Sequence, residues 1–187
     1  MELTTQRLTL RLFTPSDITD MYLEALNDMS VVGRTEARHQ RWNRESASDF
    51  IRAANCGNSM LFAAITRQSQ KPIGNVRLFN IHPVHRRGEL SLLFYDKSEW
   101  SKGYGTEAVE AVVGYAFDVL GLHRIVADYY STNLASSRMF ENLGFVIEGV
   151  FKDHFLSEDS EFVDSVRVAR LNDKSAGVTV SSFGEKV

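Results

Sequence analysis

The order of apolar segments predicts one α/β (α+β) domain built on a mixed sheet, and three observations carry that reading. Segments at 8–12, 61–65, 73–79, 89–95, 125–130, 145–156 and 161–171 have strand length and are rich in β-branched and aromatic residues. A long amphipathic run, Gly105 to Leu120, separates 89–95 from 125–130. A helical crossover of that kind makes its two strands parallel and right-handed. The remaining strands follow one another through short polar turns, as antiparallel hairpins do.

Leu8 to Leu12 reads as the first strand. Thr14-Pro15-Ser16-Asp17 opens a helix that runs to about Asn27, with threonine as cap and proline at the first helical position. Residues 28–44 are charged and poorly periodic, a loop or broken helix. Glu45 to Ala54 is helical and stops near Gly57. The strands 61–65 and 73–79 join through Arg67 to Pro72, and 82–88 leads to the strand 89–95. The crossover helix places Val109, Val112, Val113, Ala116, Phe117 and Leu120 on one face, and Gly121 suits its stop. After the strand 125–130, Asn133 caps a short helix that closes at Gly144. Residues 145–156 and 161–171 form a hairpin about Ser157 to Ser160. One domain over 1–171 follows, with a polar tail or late strand at 172–187.

Composition narrows the function. A net charge of −3 argues against a nucleic-acid binder, which carries a basic surplus. No apolar run reaches the roughly 18 residues of a membrane span, and the first residues lack a signal pattern. The lone Cys56 excludes an internal disulfide, which fits a cytoplasmic protein. His82 and His85 flank Pro83 without further ligands, so no metal is expected.

Trp100-Ser101-Lys102-Gly103-Tyr104-Gly105-Thr106 lies between strand and helix. Its glycines turn consecutive N–H groups toward a helix start, where a phosphate docks readily. The spacings of a nucleotide P-loop and of a Rossmann turn are both absent. The short G-x-G form suits a pyrophosphate held by main-chain amides.

The stretch from Glu89 through Trp100-Ser101-Lys102-Gly103-Tyr104-Gly105-Thr106-Glu107-Ala108 resembles the acetyl-CoA loop, [RQ]-x-x-G-x-[GA], of the GNAT N-acetyltransferases. Its W-x-K-G-Y-[GA]-T-E-A form resembles the Rim-type branch, which acetylates ribosomal-protein N termini. Asn133 to Phe145 resembles that branch's N-x-x-S-x-x-x-x-E-x-x-G-F, and Thr5 to Leu12 its opening T-x-R-L-x-L-R strand. The resemblance spans roughly residues 4–171. It implies a GNAT-type sheet splayed between 89–95 and 125–130 and flanked by about four helices. Acetyl-CoA would lie in the gap, its pantetheine pairing with the main chain of Leu93, Phe94 and Tyr95. Its pyrophosphate would rest on Ser101, Lys102, Gly103, Tyr104, Gly105 and Thr106. Lys102 either adds charge there or points to water. Asn133 would bond the pantetheine arm, cap its helix, or do both.

Acetyl transfer needs a base for an alkylammonium, a donor for the developing oxyanion and an acid for the leaving sulfur. The resemblance assigns Glu89 as base, directly or through water; a surface pairing with Arg86 or Arg87 is the plainer reading. It assigns Ser136 as acid; a serine bonding the first helical turn is the alternative. Many GNAT enzymes use a tyrosine acid where this chain has Phe140, which leaves Tyr95, Tyr129 and Tyr130 as substitutes.

The implied acceptor is a primary amine, with a protein N terminus as the first expectation. A small amine, such as a polyamine, aminoglycoside, amino sugar or amino acid, is the second. Asp28, Glu36 and the acidic turn Glu158-Asp159 with Glu161 favour a cationic acceptor. Two further readings are a non-catalytic acetyl-CoA-binding module and a nucleotide-binding protein. The branch also makes a homodimer possible.

Overall fold

A computed structural model describes residues 1–173. Eight strands form one sheet: β1 (Glu2–Thr4), β2 (Leu8–Leu12), β3 (Met60–Thr66), β4 (Pro72–His82), β5 (Arg87–Phe94), β6 (Arg124–Tyr130), β7 (Val146–Leu156) and β8 (Phe162–Leu171). Their spatial order is β1-β2-β3-β4-β5-β6-β8-β7. Every neighbouring pair is antiparallel except β5 and β6, which the crossover makes parallel as expected. The helices are α1 (Asp20–Leu26), α2 (Met29–Val32), α3 (Arg44–Ala54), α4 (Tyr104–Asp118) and α5 (Leu134–Asn142).

The two sheet faces bury two separate cores. On one, α4 and α5 lay Val109, Val112, Val113 and Phe140 over Leu10, Phe62, Val76, Leu78 and Leu90. On the other, α1 to α3 pack Tyr22, Leu26, Val32 and Ile51 against Leu61, Ala63 and Ile65. The alternation of strand side chains makes this possible. In β4, Val76 and Leu78 enter the first core, while Asn75, Arg77 and Phe79 face the second side.

Two features differ from the sequence reading, while the region 28–44 is the broken helix it expected. The helix expected over 15–27 is two pieces. A 3-10 turn at Pro15–Asp17 ends where Asp17 turns back to Arg11 at 2.5 Å and to the Thr14 amide at 2.8 Å. Thr19 then starts α1 afresh, accepting from the Tyr22 amide. The broken region 28–44 holds α2 and a 3-10 turn at Glu36–His39. The three-residue β1 is absent from the sequence reading, because so short an edge strand has no periodicity to read. The tail expected at 172–187 lies outside the described residues from 174 onward. Asn172 is still docked, its N–H donating to the His123 carbonyl at 2.8 Å.

One feature of the sheet creates the site. β5 and β6 pair only at Arg87–Arg124, Gly88–Ile125 and Glu89–Val126. Beyond Glu89 the strands diverge, while β6 stays zipped to β8 through Tyr130. The sheet therefore opens as a V between residues 90–94 and 127–130.

Candidate active site

Two cavities meet in that V. One, of about 820 Å³, lies toward the loop before α4 and is lined by Phe94, Trp100, Ser101, Gly103 to Thr106, Arg138 and Met139. The other, of about 610 Å³, lies on the α1–α3 side and is lined by Glu89, Ser91, Asn75, Arg77, Trp42, Tyr130 and Phe155. Leu92, Leu93, Asn133, Ser136, Arg34 and Thr35 border both.

The loop is an anion cradle by construction. Ser101 and Gly103 have φ of 61° and 81°, the left-handed region. Gly103 stands at the N-cap of α4 with no side-chain cap. The N–H groups from Ser101 to Thr106 have no acceptor among the described residues; Glu107 is the first whose amide finds one, at Gly103, 3.1 Å. A 15-residue helix adds its positive end behind them. A phosphate or pyrophosphate fits this donor set. Lys102 is drawn to Glu99 at 2.9 Å, which keeps its charge at the rim rather than in the cradle.

A clamp sets the loop's position. The Arg7 guanidinium donates to the Lys102 carbonyl at 2.8 Å and to Glu107 at 2.6 Å, and lies 4.5 Å from the Tyr104 ring centroid. The Arg7 amide and the Thr5 hydroxyl also donate to Glu107, at 2.8 and 2.5 Å. Burial pushes the Glu107 carboxyl up, but the hydrogen bonds from Thr5 and Arg7 outweigh it and leave its pKa below the ordinary value. The opening motif Thr5 to Arg7 thus secures the first turn of α4, a role unseen in the sequence reading.

The trio expected to pair with a pantetheine needs correction. The Tyr95 amide already donates to Ile73 at 3.1 Å, and the Tyr95 ring is buried edge-on to Tyr22. Antiparallel alternation from that bond turns Leu93 toward β4 as well, opposite Asn75. The Phe94 carbonyl accepts from the Trp100 indole at 2.7 Å. The main-chain groups facing the gap are therefore those of Leu92 and the Phe94 N–H. Leu92 was missed because the outward parity of a strand depends on its partner's register.

Asn133 caps α5, its side-chain oxygen accepting from the Ser136 amide at 3.2 Å. Its amide nitrogen has no partner among the described residues and borders both cavities. The Ser136 hydroxyl is equally unpartnered, at the junction. Glu89 is the last β5 residue paired with β6; it accepts from Asn80 at 3.1 Å and lines only the 610 Å³ cavity. Among the described residues no ion pair ties it to Arg86 or Arg87: Arg86 instead donates to the Gly121 carbonyl at 2.7 Å.

Phe140 is 2% exposed, 5.0 Å from the Phe145 ring and 6.0 Å from Tyr129. Tyr95 lines neither cavity, and burial raises its hydroxyl pKa far above neutrality. Tyr130 donates to Glu36 at 2.7 Å; burial, then this bond, push its pKa to about 12. That contact, with the Arg38 guanidinium on the Leu156 carbonyl, straps the segment 34–40 across the 610 Å³ cavity. Asp28 is taken by Lys97 at 2.6 Å. Two of the acidic residues expected to draw a cationic acceptor are thus engaged within the protein. Among the described residues no cluster of His, Cys, Asp and Glu is arranged to hold a metal. No described helix is long and apolar enough to cross a membrane.

Comparison with known proteins agrees with this geometry. The acetyltransferase (GNAT) domain matches residues 7–146. The chain is 30% identical over 152 residues to an uncharacterized N-acetyltransferase, YnaD, of Bacillus subtilis (strain 168), covering 81% of this chain and 86% of that one. Spermidine N(1)-acetyltransferase of Vibrio cholerae is 29% identical over 83 residues, covering 44% of this chain and 47% of that one. Among solved structures, the ribosomal-protein-S5-alanine acetyltransferase of Vibrio fischeri superposes with a TM-score of 0.78 at 22% identity, covering 92% and 97% of the two chains. A spermidine N-acetyltransferase chimera of Vibrio cholerae and human sequence gives 0.76 at 21%, covering 88% and 95%. An open parallel pair, a cradle of free amides ahead of α4 and a match across most of its length make this chain a member of the GNAT family, an acetyltransferase.

Proposed function

We propose that the protein transfers an acetyl group from acetyl-CoA to the primary amine of a small molecule, by direct attack in a ternary complex. The observation that carries this is the junction: the cradle-side and acceptor-side cavities share the wall of Leu92, Asn133 and Ser136. When bound, acetyl-CoA supplies a thioester carbonyl and a thiol leaving group. The amides of Ser101 to Thr106 hold its pyrophosphate, and the Leu92 carbonyl and Phe94 N–H pair with its pantetheine as an added strand would.

Glu89 removes a proton from the incoming ammonium, directly or through one water, because only the neutral amine is nucleophilic. The Leu92 N–H stabilises the charge that develops on the carbonyl oxygen. As the carbon–sulfur bond breaks, Ser136 donates its proton to the departing sulfur and takes the second proton of the attacking nitrogen in its place. A small amine is favoured over the protein N terminus first expected, because the strap over 34–40 narrows the acceptor side. Spermidine acetyltransferases among its relatives also act on small amines. Isothermal calorimetry with coenzyme A, and thiol release with a panel of small amines and N-terminal peptides, test the reading. Absence of coenzyme A binding removes it, and exclusive turnover of peptides restores the protein acceptor.

A further inference from the structure

The acceptor-side cavity carries a cation that no carboxylate pairs with among the described residues. Arg77 projects from β4 into it, and its Nε donates to the Ser59 hydroxyl at 3.0 Å. Its guanidinium carbon lies 5.0 Å from the Phe79 ring centroid and 5.6 Å from that of Phe50. These contacts fix the plane of the group and leave its two terminal nitrogens without a partner among the described residues. Among the described residues no carboxylate pairs with it, although eleven other ion pairs and a histidine contact are formed there. Burial pushes its pKa below the ordinary arginine value, the mark of a partly desolvated charge lacking a counterion.

A second, independent observation lies two residues away on the same face. Asn75 is 7% exposed, lines the same cavity, and its side-chain amide has no hydrogen-bond partner among the described residues. The residue is buried but its amide opens onto the cavity, where it is available to a ligand. Across the sheet, Arg77 sits opposite Ser91 and Phe79 opposite Glu89. Arg77 and Glu89 are thus diagonal neighbours on one sheet face, about 7–8 Å apart, yet no ion pair joins them.

We propose that the acceptor is an amino acid, whose carboxylate is held by the Arg77 guanidinium and the Asn75 amide while its amine lies at Glu89. This rests on the acetyl-transfer reading and deepens it. A planar guanidinium with two free terminal nitrogens matches a carboxylate edge to edge. The spacing from Arg77 to Glu89 suits one molecule that carries both charges. A polyamine, by contrast, would bring a cation to an uncompensated arginine.

Two measurements test this. In thiol-release assays, free amino acids are compared with their amides and with their decarboxylated amines. Wild-type kcat/KM is expected to be about 10- to 100-fold higher for the free acid, and Arg77→Gln to abolish that preference through KM. Arg77→Lys, which keeps the charge but not the fork, is expected to restore it only in part. Equal or higher kcat/KM on the decarboxylated amines, or an unchanged preference in Arg77→Gln, overturns the proposal.

The second measurement does not need turnover. N-acetyl amino acids and their amides are titrated calorimetrically into the protein with and without coenzyme A. Tighter binding of the acids, lost in Asn75→Ala and Arg77→Gln, supports the proposal; indistinguishable binding overturns it. Failure to bind coenzyme A refutes the acetyl-transfer reading separately, because carboxylate binding to the protein alone is still read.

Discussion

In the proposed mechanism, position divides labour between Glu89 and Ser136. Glu89 lines only the acceptor side, so its removal should leave coenzyme binding intact. Glu89→Gln is expected to lower kcat by about 100-fold or more, the usual size of a general-base contribution. The coenzyme A dissociation constant should not move in calorimetry, and an unaltered kcat would take Glu89 out of the mechanism. Gly103 makes a different prediction. At φ 81° an added Cβ would meet only the Arg7 Nη2 at 3.5 Å, so there is room for it. The cost lies in the backbone: Gly103→Ala should lose roughly 1–2 kcal/mol in denaturant melts and weaken coenzyme A binding as the cradle relaxes. Gly103, Asn133 and Ser136 were legible because each sits in a local sequence pattern with a mechanical meaning. Arg77 and Asn75 were not, because nothing local tells a cavity arginine from a surface one. Only the fold shows that Arg77 has two rings beside it and, among the described residues, no carboxylate.

Helices and strands were mostly legible for the same reason, since their periodicities are local. The break at Ile18 was the exception: two threonine caps, Thr14 and Thr19, compete within six residues, and Asp17 sides with Arg11. What joins elements was less visible. The Thr5–Arg7–Glu107 clamp ties the start of β2 to the first turn of α4 across about a hundred residues of chain. It gives a pH prediction with a definite sign. The folded Glu107 pKa is depressed below its ordinary 4.5, so the unfolded chain takes up the proton first. The clamp's stabilisation is therefore complete above about pH 4.5 and is lost as pH falls through the lower folded value. Glu107→Gln should flatten the dependence of unfolding free energy on pH below 5 and leave its slope near pH 7 unchanged. An identical acid limb in both proteins would show that the clamp contributes nothing to stability. Because the same contacts hold the Lys102 carbonyl, coenzyme A affinity should fall in this variant even at neutral pH.

The whole molecule is two half-sheets joined at a short seam. β1 to β5 form one antiparallel half and β6 to β8 the other, and the three pairs from Arg87 to Glu89 are the strand pairing between them. The sequence order predicts that β5 and β6 are parallel, but where their pairing stops is set by tertiary packing and is not written in either strand. The open gap leaves the Leu92 and Phe94 amides without a strand partner, and a ligand that bridges it supplies what the seam lacks. At one hundred times its dissociation constant, such a ligand adds about 2.7 kcal/mol to stability. For a chain of this size that raises Tm by about 5–10 °C. Hydrogen exchange adds the location. In the free protein the amides of Leu92 and Phe94 should exchange faster than that of Leu93, which faces β4, and acetyl-CoA should slow the first two selectively. A rise in Tm without that protection would mean that the coenzyme binds outside the gap, and the Leu92 pairing would be wrong even though the cradle holds.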